Sequence, residues 1–167
     1  MAQSFQIFHD TYIGTGHDVD GYYGAQCWDG YAFYDQWLGY TPIHCTVTGG
    51  ARDLWEQRNT NGMLNNHDIV TGQLQNGDIG VWGADQGGGY GHVAMYYNGG
   101  WMGQNQGGAS YPGGGAVFSD LYNYLPSPMG VFRPKCYSGG SGGTKKVLEL
   151  DLKNGIVVGA RWIDVEI

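Results

Sequence analysis

Residues Cys27 to Leu38, CWDGYAFYDQWL, constrain the fold of this chain more than any other stretch. The segment holds no proline and is apolar on nearly every face, and a helix of that kind is stable only inside a domain. The rest of the chain must therefore cover it. Asp78 to Trp82, His92 to Tyr97 and Trp101 to Asn105 read as short β-strands, with Asn98-Gly99-Gly100 as the turn between the last two. A weaker helix is expected over Thr48 to Asn59, which carries Ala51, Leu54 and Trp55. Helices first and an antiparallel sheet after them predict an α+β domain. Glycine clusters at 87–89, 107–108 and 113–115 mark loops placed to flank a cleft.

Composition narrows the function classes. Eight basic residues stand against 15 acidic ones, a formal charge of −7. Phosphate binding needs clustered Lys and Arg, so nucleic acid is not the expected partner. No apolar run approaches the roughly 18–20 residues of a membrane span, so no membrane is expected either. The opening MAQSFQIFHDTYIG lacks the basic and apolar regions of a secretory signal. Cys27, Cys45 and Cys136 are odd in number and have no CxxC spacing, which argues against a zinc site.

Ser138 to Gly143, SGGSGG, predicts a flexible linker between a main domain, 1–137, and a tail, 144–167. In the tail, Val147, Leu148, Leu150 and Leu152 lead to Asn154-Gly155 and then to Ile156, Val157 and Val158. An Asn-Gly step between such runs is a hairpin signal. A lone hairpin is marginal in water. The tail is therefore expected either to dock on the main domain or to be the start of a second domain cut short.

Three residues suggest chemistry. Cys27 opens the buried helix, where the positive end of the helix dipole favours a thiolate. His92 begins a strand, and beside that helix start it would act as the base for the thiol. Asn105 ends the next strand, where its amide oxygen would accept the Nδ1–H of His92 and orient the ring. Taken singly, each reads as well as a buried thiol, a hydrogen-bonded structural histidine or a turn residue. A helix bearing Cys that faces a hairpin bearing His and Asn is the papain-type arrangement. His9, His17, His44 and His67 lie in loop-like sequence, and neither Cys45 nor Cys136 begins a buried helix.

A second pattern overlaps the first. Asp18 to Asp29 spans twelve residues, with carboxylates Asp18, Asp20 and Asp29 at the first, third and last positions. That is the ligand spacing of an EF-hand loop, although Asp29 is shorter than the usual Glu and the usual central glycine is missing. Tyr22 and Gly24 would offer backbone carbonyls. Two readings stay open: a Ca²⁺ loop of related logic, or an Asx-rich turn in which Asp29 serves the helix. Hard oxygen donors without soft ones argue against zinc or copper.

Gln26-Cys27-Trp28-Asp29, Gly77-Asp78-Ile79-Gly80-Val81-Trp82, Gly91-His92-Val93-Ala94-Met95 and Gln104-Asn105, in this order, resemble the CHAP family. These are cysteine, histidine-dependent amidohydrolases/peptidases among the NlpC/P60-like papain relatives. The chain is similar in particular to the N-terminal lytic domains of bacteriophage endolysins, over roughly residues 10–137. The resemblance implies a papain-like α+β fold, with N-terminal helices packed on an antiparallel sheet. It implies cleavage of a peptidoglycan amide bond through a thioester, by an endopeptidase or an N-acetylmuramoyl-L-alanine amidase. Cys27 would be nucleophile, His92 base and Asn105 the orienting residue. It also implies Ca²⁺ held by the Asp18, Asp20 and Asp29 side chains and the Tyr22 and Gly24 carbonyls. Two positions depart from the family pattern. Gly103 stands where many members carry an acidic residue, and Gly24 where some phage members carry a histidine. The expected partner is bacterial peptidoglycan, and the expected location is the host bacterial cytoplasm until release to the wall. The alternatives are a non-catalytic wall- or glycan-binding module and a secreted bacterial remodelling enzyme of the same kind. Trp82, Tyr90, Trp101 and Tyr111 surround the predicted site and read either as a groove for glycan or stem peptide or as core packing.

Overall fold

The computed structural model describes residues 4–106, 117–122, 126–138, 144–153 and 156–166. The chain divides into two compact units, Met1–Lys135 and Cys136–Ile167. In the first, helices α1 (Phe5–Tyr12), α2 (Cys27–Trp37), α3 (Asp53–Glu56) and α4 (Met63–Asn66) come before the sheet. The strands are β1 (His67–Ile69), β2 (Ile79–Trp82), β3 (His92–Tyr97), β4 (Gly100–Gly103), β5 (Ser119–Leu121) and β6 (Gly130–Pro134). They form one sheet in the order β1-β6-β2-β3-β4-β5, and every neighbouring pair is antiparallel. This is the α+β architecture the sequence predicts.

The apolar helix sits where its composition demands. α2 buries Tyr31, Ala32, Tyr34 and even Asp35. Phe8 of α1 closes over it, with ring centroids 4.9 Å from Tyr34, 5.3 Å from Trp37 and 5.6 Å from Phe118. Full burial of each such ring contributes on the order of 1.5–3 kcal/mol. The central strands are buried along their length, with Ile79, Val81 and Trp82 on β2 and Val93, Ala94 and Met95 on β3. Gly80 lets the Trp101 ring lie across β2, since a Cβ there would come within 2.5 Å of it. Trp82 and Trp101 meet edge to face at 4.9 Å. Trp82 is thus core, and Trp101 packs on it. The β3–β4 turn is a two-residue loop with Asn98 at φ 45° and Gly99 at φ 90°. Two positive φ values define the hairpin turn that Asn-Gly favours.

Several expectations change. The Thr48–Asn59 helix shrinks to the single turn α3. The Asp53 carboxylate accepts from the N–H groups of Val47 (2.9 Å) and Thr48 (2.8 Å) and from Thr48 Oγ1 (2.7 Å), which folds residues 47–50 back as a capping loop. Gly49 then turns left-handed, at φ 74°, so no helix can begin upstream. β4 stops at Gly103, which leaves Asn105 outside the strand. His9 lies in α1 and His67 opens β1, rather than lying in loops. His67 is buried, with Nε2 3.0 Å from Asp35 Oδ1. Among the described residues no cysteine is in a disulfide. Tyr111 and the glycines at 107–108 and 113–115 lie outside the described residues.

In the second unit, β7 (Thr144–Lys153) and β8 (Ile156–Glu166) pair antiparallel, with one irregularity between Asp151 and Leu152. The expected Asn154-Gly155 turn and residues 139–143 of the expected linker lie outside the described residues. Ser138, where that linker was expected to begin, ends a short helical turn, α5 (Lys135–Ser138). Among the described residues, no helix is long and apolar enough to cross a membrane.

Candidate active site

Cys27 is the first residue of α2, His92 is the first residue of β3, and both line one cleft of about 560 Å³. The backbone N–H groups of Val93, Trp28 and Cys27 itself are directed at the Cys27 sulfur. The thiol therefore sits where the helix start meets the residue after His92. Local sequence fixes both positions. At the helix start, the Gln26 side chain accepts from the Asp29 N–H, and Asp29 Oδ2 accepts from the Gln26 N–H at 2.9 Å. This reciprocal capping box sets the first turn and with it the backbone of Cys27. Before β3, Gly91 is left-handed at φ 80°, and a Cβ there would lie 2.5 Å from the Trp82 carbonyl oxygen and 2.8 Å from Arg52 Cβ. Only glycine meets both demands, and it starts β3 at His92. On the facing wall Gly50 presses on Tyr90, where a Cβ would come 2.2 Å from the carbonyl oxygen.

Burial pushes the Cys27 thiol up to about 11, with the three backbone N–H groups pulling the other way. Burial also pushes the His92 imidazole down, against the opposing effect of Gln106. Both shifts favour a neutral thiol beside a neutral imidazole over a preformed ion pair. The pull of the helix start toward thiolate is present, but desolvation outweighs it.

Asn105 lines the same cleft, but its amide nitrogen donates to Gln26 Oε1 at 2.6 Å. The partner of the His92 ring is Gln106, whose Oε1 lies 2.8 Å from Nε2. Gln106 Nε2 donates to the carbonyls of Trp101 and Ser119, each at 2.8 Å. Two acceptors on one side fix which end of the amide faces which way. The oxygen faces the ring, so Nε2 of the neutral imidazole carries the hydrogen and Nδ1 is the basic nitrogen. The expectation for Asn105 is thus corrected in both residue and ring nitrogen. The signal that reaches Gln106 is the alternation of 104–106: Gln104 and Gln106 are buried and Asn105 is exposed. Gln104 is itself a tie. Its Oε1 accepts from the His17 N–H at 2.7 Å, and its Nε2 donates to the carbonyls of His17 (2.9 Å) and Gln26 (3.1 Å).

Next to the cleft, Asp18, Asp20 and Asp29 each offer a carboxylate oxygen, and these lie within 4.8 Å of one another. Asp29 Oδ1 accepts from the N–H groups of Val19 (2.8 Å) and Asp20 (3.3 Å). Asp18 and Asp20 each accept a backbone N–H of the loop, from Gly21 and Tyr22 respectively, at 2.8 Å. Burial raises the Asp29 carboxyl against the pull of its N–H donors. The loop is therefore an Asx-rich turn whose three carboxylates also converge. Three anionic oxygens with lone pairs to spare fit a hard dication such as Ca²⁺.

No protein-family model matches the chain. It is 38% identical over 169 residues to the D-alanyl-L-alanine endopeptidase of Streptococcus phage B30, an alignment covering 97% of this chain and 35% of that protein. The chain thus spans about a third of the length of that curated relative. Its structure is similar to that of the wild-type endolysin LysIME-EF1, with a TM-score of 0.56 and 23% identity, over 78% of this chain and 62% of that one. What the structural likeness shows is the fold, an α+β domain built like the one in that endolysin.

Proposed function

We propose that this chain is a peptidoglycan hydrolase of the phage endolysin type, cutting a wall peptide bond by Cys27–His92 thiol catalysis. The observation that carries the reading is the shared cleft, with Cys27 at the start of α2, His92 at the start of β3 and Gln106 holding the ring in its Nε2–H form. His92 Nδ1 takes the thiol proton as the sulfur attacks the substrate carbonyl. Main-chain N–H groups at the helix start, including that of Cys27, stabilise the oxyanion. The C–N bond breaks, the imidazolium gives its proton to the leaving amine, and a thioester remains. Water, deprotonated by Nδ1, then releases the acid and restores the thiol.

The named activity of the phage B30 relative supports a D-alanyl-L-alanine bond as the target. Mass spectrometry of purified walls with L-alanine cross-bridges, digested by the full chain, tests this. New C-terminal D-alanine and new N-terminal L-alanine are the expected ends. Free lactyl carboxyls on muramic acid would instead identify an amidase. In this reading the protein waits in the host cytoplasm until it is released to the wall.

Asp18, Asp20 and Asp29 would hold Ca²⁺, with the Tyr22 and Gly24 carbonyls in the same loop. The ion would brace the loop that runs into the first turn of α2. A ligand at about 100 times its Kd stabilises by about 2.7 kcal/mol, which for a chain of this size is about 5–10 °C in Tm. Calcium is expected to raise Tm by that amount, EDTA to reverse it, and Asp20→Ala to abolish the response. Identical melting of the native chain with and without Ca²⁺ would refute the assignment.

A further inference from the structure

We infer that the cleft selects an electrically neutral stretch of wall peptide, preferring substrates whose carboxyl groups beside the scissile bond are carboxamides. The inference rests on the hydrolase reading above and concerns the substrate of that same site. Wall peptides carry carboxyl groups near their cross-links either free or as amides, so the distinction is a real one for such an enzyme.

Among the described residues, the lining of the cleft offers a carboxylate no cationic partner. Among the described residues lining it there is no Lys or Arg, and burial holds His92 toward its neutral form. The four basic side chains of the first unit are engaged elsewhere. Arg52 reaches Thr48 Oγ1 (3.4 Å) and Glu56 (3.8 Å), and Arg58 lies over the Trp55 ring at 4.2 Å. Arg133 grips Asp78 at 2.8 and 2.7 Å, and Lys135 donates to the Leu64 carbonyl at 2.9 Å. The charges nearest Cys27 in the chain are negative, the converging Asp18, Asp20 and Asp29, and a single bound dication would leave that loop acidic.

The polar and aromatic groups of the cleft point the same way. One Nδ2–H of Asn105 donates to Gln26 Oε1, and one Nε2–H of Gln26 donates to the Tyr23 carbonyl at 2.7 Å. Asn105 Oδ1 is left as an acceptor, which a carboxamide N–H can meet and a carboxylate cannot. Tyr23 is 90% exposed and Tyr90 is 62% exposed, although both backbones are pinned. Tyr23 also holds a left-handed φ of 65°, an unusual conformation for a bulky residue. Substrate lying against these rings displaces water, which raises the cost of any unpaired charge it carries.

The test uses two synthetic cross-linked peptides that differ only in one stem carboxyl next to the cross-link, free in one and amidated in the other. The full chain is expected to cut the amidated form with kcat/KM higher by about tenfold or more. Equal rates, or preference for the free acid, would overturn the inference. Tyr90→Lys places an ammonium at the rim where an exposed ring stood, and is expected to shrink the preference several-fold. An unchanged preference would place the discrimination outside this cleft and also overturn the inference. Binding to the Cys27→Ala chain separates the two readings. Tighter binding of the amidated peptide with no cleavage by the native chain would sustain the selectivity and refute the hydrolase. Cleavage of both forms with equal binding would do the reverse.

Discussion

Replacing Cys27 by alanine is expected to abolish wall lysis, lowering kcat/KM by at least about a thousandfold, while the fold survives. The sulfur is the one atom in the mechanism that forms a covalent bond to substrate, so nothing else in the cleft can substitute for it. Its removal is mild for stability. Cys27 is only half-buried, and the N–H groups directed at it lose no more than a weak acceptor. The Gln26–Asp29 capping box does not involve the side chain at 27. A Tm within about 3 °C of the native value is therefore expected. Cys27→Ser is expected to be inactive as well, because a hydroxyl is far harder to deprotonate than a thiol. Iodoacetamide should inactivate the native chain, since the sulfur can displace iodide while His92 Nδ1 takes the thiol proton. Wall clearing by Cys27→Ala at the native rate would end the thiol mechanism and return the protein to the binding-module reading.

The parts of the site that the sequence exposes are those anchored at the ends of strongly patterned elements. Cys27 opens a segment too apolar to lie anywhere but in the core, and His92 opens a strand whose six residues, HVAMYY, are mostly buried. Both follow residues that fix an element start, Gln26 through the capping box and Gly91 through its left-handed turn. The convergence of Asp18, Asp20 and Asp29 was legible because a cation loop and an Asx turn both depend on spacing along one short stretch. The strands β1 and β5 have three residues each, too few to show a period of two, and they take their place from pairing with β6 and β4. α3 is shorter than its sequence suggests because the pull of Asp53 on residues 47 and 48 is a side-chain effect that helix propensity does not register. Asn105 lies away from the His92 ring for a similar reason. Extending β4 by two residues puts Asn105 beside His92 on paper, whereas the strand ends at Gly103 and the chain turns left-handed at Asn105.

That last difference sets up the second large effect. Gln106→Leu keeps roughly the side-chain size but removes three hydrogen bonds at once, leaving His92 Nε2 and the carbonyls of Trp101 and Ser119 without their partner. Orphaned buried polar groups cost about 1–3 kcal/mol each, so a loss of several kcal/mol of stability is expected. The kinetic effect has a separate cause. Without the amide oxygen the neutral ring is free to carry its proton on Nδ1, which leaves no base facing the thiol. Mis-set tautomers of this kind cost on the order of 10²–10⁴ in kcat. Asn105→Ala removes the contact with Gln26 and an acceptor in the cleft but leaves the ring partner of His92 in place, so kcat is expected to stay within a few-fold of native, with any loss appearing in KM. The ¹⁵N shifts of the His92 ring separate tautomer from mere instability. The native chain should show Nε2–H alone, and Gln106→Leu a mixture at temperatures where it is still folded. If Asn105→Ala instead lost activity and tautomer purity while Gln106→Leu kept both, the imidazole would be held from position 105, and the proton path drawn through Nδ1 would have to be redrawn.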